Sequence, residues 1–247
     1  MIELRLPPLD SDVGAQPRRW QGGLCWLDRE QSCCSAQSLP PWAWELLQRA
    51  QPLATCGRLA EAQSLIDQAL AGEESRSPRE QDALAWGRLR MQLGSWCHQL
   101  GQHAKAEQYL LAAFEVLDAA LGTDCPETAA ILAMLAAVYD SAGLPNQALE
   151  VQQQVLGIRQ RALGPGDPAV AMAWAAVAAA MVTAGQPTVS TTCWQEALNA
   201  LEASMPQWLP TYERLGQAYV AVLQDAGLQQ EIAIFEKRLR RLQQLHS

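Results

Sequence analysis

The chain has 247 residues with 18 Lys and Arg against 26 Asp and Glu, a net charge of −8. That surplus of carboxylates excludes a surface built to neutralise phosphates, and with it nucleic-acid binding. Hydrophobic residues make up 49% and charged residues 18%, which excludes a disordered chain.

Residues 1–40 stand apart from the rest. Ile2, Leu4 and Leu6 alternate with Glu3 and Arg5 in a short strand-like run, broken by Pro7-Pro8 and by Asp10-Ser11-Asp12. Trp20 and residues 24–27 form a second apolar patch ahead of Cys33-Cys34. The piece is too small to fold alone, so it is expected either to pack on the first helical unit or to act as a partly mobile arm. Its start lacks the basic residues and continuous apolar stretch of a secretory signal. The seven cysteines, at 25, 33, 34, 56, 97, 125 and 193, are odd in number and follow no framework spacing. Reduced thiols in a cytoplasmic protein are the expectation.

From residue 41 onward the sequence repeats. Alanine is used heavily, Trp outnumbers Phe nine to two, and β-branched strand formers are scarce, a composition that favours helices. Helices are predicted near 41–56 and 58–71, 78–100 and 102–121, 126–142 and 145–163, 168–184 and 188–204, and 206–226 and 228–244. Gly101, Gly143, Gly185 and Gly227 recur at an offset of 42 residues, and Gly57 lies 44 residues before Gly101. The connector Leu121-Gly122-Thr123-Asp124-Cys125-Pro126 returns 42 residues later as Leu163-Gly164-Pro165-Gly166-Asp167-Pro168. Within one unit, Leu132, Leu135 and Tyr139 form a single apolar stripe, and Ala148, Leu149, Val155 and Leu156 form the stripe of its partner helix. Ser77-Pro78-Arg79-Glu80 and Asp167-Pro168 mark helix starts by an N-cap followed by proline. No charged residue lies between Asp167 and Glu196, but the apolar part, residues 169–184, is short for a membrane span and mostly alanine. A buried helix is expected there.

A lone helical hairpin cannot bury both of its apolar faces, so such units stack. The two-helix unit resembles the tetratricopeptide repeat. Counted from the turn glycine, that family's pattern has a bulky residue eleven before, a small one seven before, an aromatic four before and an alanine five after. These positions are Leu132, Ala136, Tyr139 and Ala148 around Gly143, and Trp174, Ala178, Met181 and Ser190 around Gly185. Arg90, Gly94, Cys97 and Ala106 occupy them around Gly101, and Leu46, Ala50, Leu53 and Ala62 around Gly57. The last unit departs most, with Gly216 and Ile232 in the bulky and alanine positions. The 42-residue period is similar to the longer repeat variant of kinesin light chains and many bacterial proteins. The resemblance implies an all-α, right-handed superhelical solenoid of about five antiparallel hairpins over residues 41–247. Its units would be 41–71, 78–121, 126–163, 168–204 and 206–244, preceded by an irregular or β-like N-terminal arm over 1–40.

Chemistry is sparse. His98 and His103 are five apart, not the four that sets two ligands on one helix face, and His246 is next to the terminus. Cys25, Cys33 and Cys34 make no CxxC pair. Phosphate-loop, dinucleotide and serine-hydrolase motifs are absent. No metal, no cofactor and no catalytic residue is therefore expected. The basic cluster Lys237, Arg238, Arg240 and Arg241 lies near the end of the last helix, where cations complement the helix dipole or meet an acidic partner.

The tetratricopeptide resemblance implies that the first helix of each hairpin lines a concave face. Its ligand positions fall thirteen, ten, six and three residues before the turn glycine. These are Arg88, Met91, Ser95 and His98; then Ala130, Ala133, Ala137 and Asp140; then Met172, Ala175, Ala179 and Val182; then Arg214, Gln217, Ala221 and Gln224. The surface departs from the Lys/Asn/Arg clamp of chaperone-binding members. Small residues there either floor a trough for an apolar helix or extended peptide, or only let helices pack tightly. The expected function is a non-enzymatic scaffold for a protein or peptide partner. Two alternatives remain open: residues 1–40 fill the groove in cis, or in trans in a homodimer, or the chain is a regulatory subunit of an enzyme.

Overall fold

The computed structural model describes residues 41–56, 58, 60–65, 80–203 and 205–246. The arm over 1–40, its Trp20 and Trp26, its proposed place in the groove, the Ser77 cap and Gly57 lie outside the described residues.

Among the described residues nine helices can be bounded: α1 Pro41–Thr55, α2 Glu80–Gln99, α3 His103–Leu121, α4 Pro126–Ser141, α5 Pro145–Leu163, α6 Pro168–Thr183, α7 Pro187–Glu202, α8 Leu209–Asp225 and α9 Gln229–His246. Residues 60–65 are helical as well, and no strand occurs among the described residues. The predicted and observed limits agree closely for the nine bounded helices, and the ends of the helix predicted over 58–71 lie outside the described residues. The clearest departure is α8, expected from 206, where Pro206 instead opens a turn whose carbonyl accepts the Leu209 N–H at 3.1 Å.

One turn geometry recurs four times. Gly101, Gly143, Gly185 and Gly227 have φ of 72°, 80°, 81° and 72°, a left-handed conformation that costs a side-chain-bearing residue energy. Each is followed by a residue whose N–H reaches back to close the helix end: Gln102 to Cys97, Leu144 to Tyr139, Gln186 to Met181 and Leu228 to Leu223, all at 2.8–2.9 Å. The acceptor is in every case the position that the repeat pattern assigns to the aromatic. At the other end, the Asp167 carboxylate accepts the Ala169 N–H at 2.7 Å and Pro168 opens α6.

The described residues divide into two compact units, one ending at Leu144 and the other beginning at Pro145. In the first, α2 and α3 form a close hairpin. A Cβ on Gly94 would lie 2.6 Å from Leu110 Cγ, and one on Gly87 would lie 2.8 Å from Leu117 Cγ. Those glycines let two leucines of α3 reach the α2 backbone. The small and alanine positions of the repeat pattern, Ala50, Ala62, Gly94, Ala106, Ala136 and Ala148, are all buried. Tyr139 is fully buried and its hydroxyl donates to Glu107 Oε1 at 2.7 Å. Burial, then that hydrogen bond, push the phenol's pKa upward.

In the second unit α5 packs on α6, α6 pairs with α7, and α8 joins α7 and α9. Leu149, Trp194, Leu198, Tyr212, Leu215 and Phe235 belong to one apolar cluster. The last repeat achieves its packing differently from the others. Gly216 takes the bulky position, and a Cβ there would overlap Phe235 Cζ. The ring supplied by α9 thus fills the volume that α8 leaves open, stacking against Tyr212 and meeting Tyr219 edge-on at 5.7 Å.

Candidate interaction groove

The first helices of the repeats, α2, α4, α6 and α8, carry the predicted ligand positions. In the first unit the structure brings two of these helices together. Arg88 on α2 donates two hydrogen bonds to Glu127 on α4, Nε to Oε2 at 3.1 Å and Nη2 to Oε1 at 2.8 Å. A two-pronged guanidinium–carboxylate pair fixes orientation as well as distance. The Arg88 side chain is 12% exposed and that of Glu127 27%, so the pair is sheltered from water. Glu127 was not among the sequence-derived candidates. Its signal was present in the spacing: it lies 39 residues after Arg88, one period less one helical turn. The same separation joins Arg238 Nη2 to Asn199 Oδ1 at 2.7 Å in the second unit.

On the same two helices, Met91 and Ala133 are buried, while Ser95, His98, Ala130, Ala137 and Asp140 are half-buried. His98 meets His103 across the turn at 5.8 Å between ring centroids. His103 Nδ1 has no hydrogen-bond partner, and burial lowers the pKa of its imidazole. In the second unit Met172 and Ala175 are buried inside the apolar cluster, and Ala179 and Val182 pack against it. Arg214, Gln217 and Gln224 are exposed on α8, with Ala221 half-buried. The predicted positions therefore separate into a small-residue strip that is partly open and a set of side chains committed to packing.

The second unit holds a further polar set. Tyr212 donates to Glu202 Oε1 at 2.8 Å, and Arg238 pairs with the same carboxylate at 2.5 Å. Burial lowers the Arg238 pKa, and Glu202, Tyr212 and Tyr219 together outweigh it, leaving the guanidinium above its ordinary value. Gln195 donates to the Tyr219 hydroxyl at 3.0 Å. Among the described residues, Cys56, Cys125 and Cys193 form no disulfide, and Gln63 Nε2 donates to Cys97 Sγ at 3.0 Å. No three His, Cys, Asp or Glu side chains among them gather as metal ligands do, and no described helix is long and apolar enough to cross a membrane.

The protein-family model described as tetratricopeptide repeat matches residues 81–161. No curated protein sequence matches the chain. Among solved structures, the TPR-like repeats assigned to a kinesin light chain of Podospora anserina match at a TM-score of 0.65 and 19% identity, covering 81% of this chain and 93% of that one. BtubC (BKLC) from P. vanneervenii matches at 0.63 and 18%, covering 89% and 91%. A Rap protein complexed with Competence and Sporulation Factor matches at 0.55 and 11%, covering 87% of this chain and 57% of that one. At these identities the likeness shows a shared helical-repeat fold.

Proposed function

We propose that this chain, a helical-repeat protein of the tetratricopeptide type, is a non-enzymatic scaffold of the cytoplasm that holds a peptide or helix of another protein. The docking strip lies on α2 and α4, the first helices of the hairpins in the first unit. One observation carries the reading: Arg88 and Glu127 hold α2 and α4 together, and the same two helices carry half-buried Ser95, Ala130 and Ala137. Small side chains at such positions admit a partner backbone closely, and apolar burial then supplies affinity. The Rap protein, a structure of this fold, was solved in complex with Competence and Sporulation Factor, which favours partner binding over chemistry as the use of the fold.

Ala137→Arg tests the strip. A long cation there should leave far-UV helicity unchanged while partners recovered by affinity capture and mass spectrometry disappear. Recovery of the same partners by the variant would refute the assignment.

A further inference from the structure

The outer side of α9 carries a surface that the scaffold reading leaves unused. Its buried row is Ile232 and Phe235, extended by Leu239 and Leu242, which pack against the core of the second unit. Ile234 and Leu245 fall off that row and are 68% and 67% exposed, more than any other large apolar side chain described. Eleven residues separate them, three helical turns or about 16 Å along one stripe. Arg241 lies on the stripe between them and Lys237 lies beside it, whereas Arg240 is about a third of a turn away. Lys237 and Arg241 are exposed and form no ion pair among the described residues. Among the described residues Arg240 pairs with Glu236 of its own helix, an exposed i,i+4 contact worth little. Ile234 also edges a shallow cleft between α7 and α9, about 160 Å³, floored by Leu198, Tyr219 and Phe235.

A solvated helix face has no need of an aligned isoleucine and leucine, since exposed apolar residues are usually scattered. Nor does a chain of net charge −8 place four cations within five residues, 237–241, by composition alone. We propose that this stripe is a second docking surface, and that its occupant is an acidic amphipathic segment of a partner protein. Two apolar side chains of that segment would meet Ile234 and Leu245, and its carboxylates would meet Lys237 and Arg241. The charge complementarity selects the occupant: opposite charges speed encounter and fix register, while the apolar contacts hold the complex. The surface is separate from the first-helix strip, so either can fail without the other.

The test uses the full chain and a fluorescein-labelled synthetic helix of about 16 residues, long enough for three turns and their flanks. The peptide is glutamate-rich with two leucines eleven apart, and a control carries alanines in their place. Anisotropy should show saturable binding of the leucine peptide that weakens as salt rises. Ile234→Asp and, separately, Lys237→Glu with Arg241→Glu should each weaken it at least about tenfold. Ala137→Arg should bind as the wild type does. Equal binding by wild type and both surface variants would overturn the proposal, as would equal binding of the alanine control or none at all. So would sedimentation showing a dimer that Ile234→Asp dissolves, which would give the stripe to a second copy.

Discussion

Gly216 owes its lack of a side chain to Phe235, whose ring stands where a Cβ would be. Elsewhere Ala for Gly in a helix gains about 1 kcal/mol of propensity. Here the overlap dominates, and Gly216→Ala should cost a net 1–3 kcal/mol, roughly the cost of overpacking a filled core. Urea denaturation would measure it, and Phe235→Leu should recover part of the loss in the double variant; additive losses would disprove the contact's role. His103 supplies a pH signature. Burial holds its pKa below the ordinary 6.5, so the unfolded chain binds the proton more readily than the folded one. Stability from the neutral imidazole is complete above about 6.5 and falls as pH drops through that value toward the lower folded pKa. His103→Gln should therefore lose less Tm than wild type between about pH 7 and 5; parallel profiles would contradict this. His98 and His103 were legible as turn-flanking residues. The ring contact between them was not, because their rotamers depend on the packing of both helices.

At the level of elements, most of the architecture was legible. Period, turn glycines and cap-then-proline signals located helices α2 to α9 to within three residues at each end, because each signal reflects a local backbone requirement. Asp167 is an instance that can be tested alone. Its carboxylate satisfies the Ala169 N–H at the start of the uncharged helix α6, and Asp167→Ala should cost about 1 kcal/mol, read as a lowered denaturation midpoint with unchanged m-value. A midpoint equal to wild type would mean that burial alone starts α6. Side-chain traffic between elements was less legible. The last unit read as a divergent repeat from Gly216 and Ile232, yet the missing bulk had moved to Phe235 on the partner helix, which no position-by-position pattern can track. The groove positions suffered similarly. Spacing put Met172 and Ala175 in the same set as Ala137, whereas packing buried the first two and left Ala137 partly open.

On the scale of the molecule, the division at Leu144 and Pro145 falls inside a hairpin that the repeat pattern treats as one unit. Sequence phase is continuous there, so nothing in the period announces it. Each compact unit carries its own buried side chains, and repeat arrays open in cooperative blocks rather than as one body. In Gly216→Ala, amide exchange should accelerate across α6 to α9 while α2 to α4 retain wild-type protection. Uniform acceleration would show that the two units open together. The ties spanning 39 residues, Arg88 with Glu127 and Arg238 with Asn199, also limit how such a chain can change its length over evolutionary time. Each tie needs neighbouring repeats to differ by one period less a turn. Adding or deleting a complete hairpin preserves that remainder, whereas loss of a single helical residue rotates the remaining helix by about 100° and sends the paired groups apart. Descendants of this molecule that keep these ties can thus change length by whole hairpins or in the turns and connectors, as between Gly57 and Gly101, but not within the paired helices.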